Sequence, residues 1–159
     1  MEKYKFNPVT VPWKITASDE ISLFRCENDK LEVFVIADLF DSAKLDEAGD
    51  NLDFFDYFSI VQLRLMFETV LHFGYYSRDS QKYERMIPPI LYDRSAFFQK
   101  WIDTKSCPDP QMYQVENSDI MSTLNINNNL MTHWNLVSHD ETIDIVAKKF
   151  TWEVVDYLK

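Results

Sequence analysis

Ser59-Ile60-Val61-Gln62-Leu63-Arg64-Leu65-Met66-Phe67-Glu68-Thr69-Val70-Leu71 is the stretch that decides between a helical and a β chain. Val61, Leu63, Leu65, Phe67 and Leu71 fall on one side of a two-residue period; Gln62, Arg64, Glu68 and His72 fall on the other. A run of this length could also wind into a helix. Winding would spread Arg64 and Glu68 around the same cylinder as the leucines, so the pattern predicts one long strand.

The flanking sequence extends that reading. Ile21–Cys26 and Leu31–Asp38 are short β-favouring runs around the polar Glu27-Asn28-Asp29-Lys30 and predict a hairpin. Leu130–Val137 and Thr142–Ala147 flank Ser138-His139-Asp140-Glu141 as a second hairpin. Whichever pair centres its turn, Trp134 and Leu136 share a face with Ile143 and Ile145, because a two-residue shift preserves faces. His133, Asn135, Thr142 and Asp144 take the opposite face, with His133 in cross-strand reach of Asp144. After Ala147 the phase slips to Phe150, Trp152 and Val154, which calls for a bulge or a new strand. Met112–Val115 is a further extended run.

One helix interrupts this series. Pro88-Pro89 breaks the chain, Asp93 or Ser95 can cap, and Phe97, Phe98, Trp101 and Ile102 then form one apolar stripe before Cys107-Pro108-Asp109-Pro110. The expected fold is mainly β, with α+β as the variant: one domain over 1–159, an antiparallel sandwich or partly open barrel with one short helix near 93–103.

Composition removes whole classes of function. The chain has 159 residues, 46% hydrophobic and 15% aromatic, enough for a real core. It has two glycines, Gly49 and Gly74. No phosphate loop, G-x-G-x-x-G fingerprint or G-x-S-x-G nucleophile elbow can be written with them. Asn and Asp are left as the residues that tolerate left-handed turns. No run is long and uncharged enough for a membrane-spanning helix, since Arg64 and Glu68 interrupt the best candidate. The N-terminal residues show no apolar signal region, so the expectation is a cytoplasmic location. Cys26 and Cys107 are then expected reduced, and two cysteines make no zinc knuckle. Cys107, in a loop before Pro108, and Cys26, beside Glu27, both lack a neighbour that would activate a thiol.

The net charge of −10 argues against nucleic acid and against anionic membranes. Its distribution says more. Between Asp19 and Asp56 twelve acids face three bases, Arg25, Lys30 and Lys44, so this quarter of the chain carries −9. Its densest part, Asp38 to Asp56, is no calcium loop: from Asp46, Ala48 holds the third position and Tyr57 the twelfth. The bland reading is a solvated connection between two strands. The sharper one is a surface for a basic protein partner, built from Asp46, Glu47, Asp50 and Asp53 with Phe54, Phe55, Tyr57 and Phe58 as anchors. By charge alone, that is the character of an immunity protein that blocks a nucleic-acid-degrading toxin.

A non-enzymatic interaction protein is therefore the leading expectation, with no cofactor, no metal and no catalytic residues assigned. His72, His133 and His139 show no ligand spacing. The alternative is a small-molecule-binding β-barrel, catalytic or not, with an aromatic interior and Arg64, His72 and His133 as its polar contacts.

Overall fold

Period-two alternation of apolar side chains gives each strand one face to bury, and the chain satisfies these faces by stacking two antiparallel sheets. The computed structural model describes residues 4–16, 23–47, 57–77, 93–138 and 141–158, with the backbone alone at 23, 45–47 and 77. Ten strands are described: β1 Lys5–Pro8, β2 Trp13–Ile15, β3 Leu23–Glu27, β4 Lys30–Phe40, β5 Phe58–Glu68, β6 His72–Ser77, β7 Met112–Glu116, β8 Thr132–Val137, β9 Glu141–Ala147 and β10 Lys149–Tyr157. The helices are α1 Ser42–Glu47, α2 Arg94–Thr104 and α3 Asp119–Thr123. The first sheet runs β1-β7-β8-β9-β6. The second runs β10-β5-β4-β2, with β3 also paired to β4. Since β5 occupies one edge of β4 throughout, β2 (at 37–39) and β3 (at 30–34) share the other edge end to end.

The alternation places the core. Leu31, Val33, Val35 and Ala37 of β4 and Val61, Leu63, Leu65 and Phe67 of β5 face Met112, Trp134, Leu136, Ile143 and Ile145 of the opposite sheet. Each of the valine, leucine, isoleucine, phenylalanine and methionine side chains among them contributes about 1.5–3 kcal/mol by leaving water. Trp13 and Trp134 lie in this layer with their indole N–H groups unpartnered. Each indole instead meets a ring edge-on, Trp152 and Phe67 respectively.

Both predicted hairpins form, as β3–β4 and β8–β9, and Trp134↔Ile145 and Leu136↔Ile143 pair as the face argument requires. The phase slip after Ala147 is a new strand in the other sheet. The long strand, in contrast, ends at Glu68. Thr69 takes a left-handed φ of 56° and the chain crosses into the first sheet. Leu71, assigned to the inner face, is 56% exposed, and His72 opens β6 rather than continuing the row of Arg64 and Glu68. The crossing is held by Leu71 N–H to Val146 O at 2.8 Å and Lys148 N–H to Glu68 O at 3.0 Å. One antiparallel ribbon thus runs as β5/β10 in one sheet and bends over into β6/β9 in the other.

The expected mainly β architecture of antiparallel sheets stands, with few short helices, and three details refine it. The sheets form no closed barrel, and the space between them is filled by the side chains just named, so the ligand-holding barrel interior of the alternative reading does not form among the described residues. Two short helices, α1 and α3, join the expected one. Left-handed turns fall on Asn28, Asn117 and Asn125 but equally on Thr69, Lys105 and Gln111, with no Asp or Gly among the described residues.

Candidate functional site

α2 begins as its sequence suggests. Asp93 is the cap, its carboxylate accepting from Ala96 N–H at 3.0 Å, and Lys105 ends the helix in left-handed conformation. Even-numbered residues at this end of β4 and β5 point away from the sandwich core, so Phe40 and Phe58 pair on the outer face of the second sheet. The apolar stripe of α2 covers them. Phe97 and Trp101 are buried with Phe40 and Cys107, and Phe58, Phe98 and Ile102 pack alongside. The Phe58 and Trp101 ring centroids are 4.5 Å apart, and Trp101 Nε1–H donates to Pro12 O at 3.2 Å. Burial pushes the Cys107 thiol up to about 12, far from a usable thiolate.

The fit between helix and sheet leaves a cavity of about 450 Å³, walled by Phe58, Phe97, Phe98 and Trp101. Four charged groups complete its lining: Lys14, Asp38, Arg94 and Asp109. Lys14 and Asp38 are cross-strand neighbours on β2 and β4. Lys14 Nζ lies 5.1 Å from the Phe97 ring centre, and the Arg94 guanidinium 5.7 Å from that of Phe98. Asp109 is 4% exposed and accepts hydrogen bonds from Gln111 Nε2 at 2.7 Å and from the Tyr113 hydroxyl.

The described ends of the acidic connection lie beside this cavity. The chain leaves β4 at Asp41 and returns at Tyr57, where Asp41 N–H donates to Tyr57 O at 2.9 Å and closes the excursion. Asp41 also caps α1 through Ala43 N–H at 3.0 Å, and Lys44 Nζ ties α1 to Phe58 O at 3.1 Å. Of the candidate interface residues, Asp46 and Glu47 lie in α1, while Asp50, Asp53, Phe54 and Phe55 fall outside the described residues. Tyr57 and Phe58 are half-buried against the α2 cluster, where Phe58 doubles as a wall of the cavity.

A second polar assembly lies on the outer face of the first sheet, under α3. His133, Asn135 and Asp144 are 1%, 0% and 2% exposed. Asp144 Oδ1 accepts from His133 Nε2 and from Asn135 Nδ2, both at 2.8 Å. His133 Nδ1 lies 2.7 Å from Ser118 Oγ, which caps α3 by accepting from Met121 N–H at 3.2 Å. A neutral imidazole with its proton on Nε2 satisfies every group, Ser118 donating to Nδ1. The parts match a hydroxyl–imidazole–carboxylate relay. Ser118, however, is 5% exposed and committed as a helix cap, so the hydroxyl has no open approach for an electrophile. The assembly holds α3 to the sheet beside the Met121–Met131–Val146 cluster.

Cross-strand reach from His133 to Asp144 was legible from alternation; burial of that face was not, because it depends on α3 folding back over it. Ser118 carried no sequence signal beyond being one serine among many. Arg64, His72 and His133 do not converge. Arg64 lies on the outer face of the second sheet, paired with Glu32 at 3.7 Å and with Glu153. His72 sits on β6 beside the His133–Asp144 pair. Desolvation lowers its pKa, against the pull of Asp144 and with help from His133. His139 falls outside the described residues. Among the described residues no three His, Cys, Asp or Glu groups cluster as metal ligands, and no helix is long and apolar enough to cross a membrane. The chain matches no protein-family model, no curated protein and no solved structure.

Proposed function

We propose that this chain is a non-enzymatic interaction protein that engages a basic protein partner through the β4–β5 connection. The observation that carries the reading is charge held on a closed excursion. The segment from Asp41 to Tyr57 holds Asp41, Asp46, Glu47, Asp50, Asp53 and Asp56 against one base, Lys44, and its ends are joined by the Asp41–Tyr57 backbone hydrogen bond. Lys44 is itself turned inward onto Phe58 O, which leaves the segment's acids less compensated than its composition suggests. Like charges gathered on one connection repel, costing stability, and a complementary basic surface relieves that repulsion. Such a contact forms fast and weakens with salt.

The test combines Asp46→Asn, Glu47→Gln, Asp50→Asn and Asp53→Asn in one variant. Immobilised wild-type protein captures basic proteins at low salt and releases them at high salt, and the variant captures few. Equal capture of every basic partner by the two proteins would sink the reading. A second reading, small-molecule binding, has one observation of its own: the aromatic cavity beneath α2, at about 450 Å³, lies in the range of roughly 300–1,000 Å³ usual for ligand pockets. It transfers the alternative function from a barrel interior to the outer face of a sheet.

A further inference from the structure

We infer that the cavity beneath α2 takes an aromatic carboxylate, its ring body held by Phe58, Phe98 and Trp101 and its carboxylate received by Lys14 Nζ. The inference rests on the second reading above and adds the chemistry of the ligand.

The four charged groups of the lining are not equivalent. Asp109 is deeply buried, and its oxygens are met by Gln111 and Tyr113. Each of its oxygens already has a hydrogen-bond partner, and Lys14 pairs with it at 3.9 Å. Lys14 stands in the opposite condition. Its side chain is 27% exposed, it pairs with Asp109 Oδ2 at 3.9 Å, beyond hydrogen-bonding reach, and Asp38 is its cross-strand neighbour. Its ammonium also lies 5.1 Å from the centre of the Phe97 ring. An ammonium carries three donors, and one that is partly removed from water without acceptors loses hydration it does not recover. A ligand carboxylate gives Nζ the close acceptor it lacks, as a charge-assisted hydrogen bond, within a lining whose formal charges, Lys14 and Arg94 against Asp38 and Asp109, otherwise cancel.

The same geometry rejects a cation. Lys14 and Arg94 already occupy the positions over Phe97 and Phe98 where a cationic guest would seat, and both repel it. A neutral apolar guest gains the ring contacts but leaves Lys14 as it is. An aliphatic acid gains Lys14 and forgoes edge-to-face contact with the surrounding rings. The aromatic acid satisfies both parts of the lining.

Three probes of matched shape separate the possibilities: naphthoate, naphthylmethanol and naphthylmethylammonium, titrated against the full chain by saturation-transfer NMR and tryptophan fluorescence. The expected order is naphthoate tightest by at least about tenfold over the alcohol, with the ammonium weakest. Lys14→Met removes the preference for the acid and leaves the alcohol unchanged; Lys14→Arg retains the preference. Should Lys14→Met not give a native circular dichroism spectrum, Lys14→Gln makes the same comparison. Equal binding of acid and alcohol, or a preference that survives loss of the ammonium, overturns the inference while leaving the cavity a ligand site. Absence of binding by all three probes at millimolar concentration removes the small-molecule reading and the inference with it.

Discussion

Replacing Asp144 by alanine should cost about 4 kcal/mol, and the figure follows from counting what it leaves behind. Two donors lose their acceptor, His133 Nε2–H and Asn135 Nδ2–H, each 2.8 Å from the same Oδ1. Both residues are essentially inaccessible, at 1% and 0% exposed, so water cannot replace the carboxylate without opening the layer under α3. A buried donor deprived of its partner costs about 1–3 kcal/mol, which puts two of them at roughly 2–6. The loss spreads further, because an unanchored imidazole no longer fixes the Ser118 hydroxyl that caps α3. Asp144→Asn keeps an acceptor oxygen in place and should cost about half as much. Urea unfolding followed by tryptophan fluorescence measures both, and an unchanged denaturant slope confirms that the native state has shifted as a unit. The hydrogen-bond argument is refuted if Asp144→Ala unfolds within about 1 kcal/mol of wild type with the same slope. Ser118→Ala adds a control: it should weaken α3 by about 1 kcal/mol, as loss of an N-cap does.

Two cheaper measurements probe other sites. Cys107, buried and with its thiol pushed up to about 12, should resist a disulfide reagent at pH 8, whereas exposed Cys26 reacts at once; two equivalents in the native protein would contradict the packing under α2. His72 is harder to protonate when folded than its ordinary value of 6.5. The stability tied to its neutral form is therefore complete above pH 6.5 and drains away as pH falls through that value and then through the lower folded pKa. Its NMR titration should show an inflection below 6.5, moving lower still in Asp144→Asn; an inflection at or above 6.5 would contradict the burial argument.

Strands and faces were legible because alternation is a local property. Val61, Leu63, Leu65 and Phe67 announce their face whatever they pack against, and the Trp134–Ile145 pairing survives any even shift of register. The end of β5 was illegible for the complementary reason. Nothing within Glu68-Thr69-Val70-Leu71 marks a departure; the chain turns there because Val146 and Glu68 offer backbone acceptors from two different sheets. The candidate sites split the same way. The stripe of Phe97, Phe98 and Trp101 could be read from helical spacing, but Lys14 was invisible, since a lysine within a short strand acquires meaning only when a distant helix brings Phe97 against it. The acidic connection was plain from composition alone.

The bent ribbon has a consequence for how the protein is made. β5 can pair with β4 once both have left the ribosome, but its opposite edge waits for β10, whose Phe150 pairs with Phe67 and whose Trp152 pairs with Leu65. β6 waits likewise for β9. During synthesis, then, a long strand with one hydrophobic face stands unpaired along one side until β10 has emerged, the kind of exposed edge on which other chains can nucleate. Shortened chains that stop before Lys149 should accordingly be lost to aggregation in the cell rather than accumulate as a smaller sandwich.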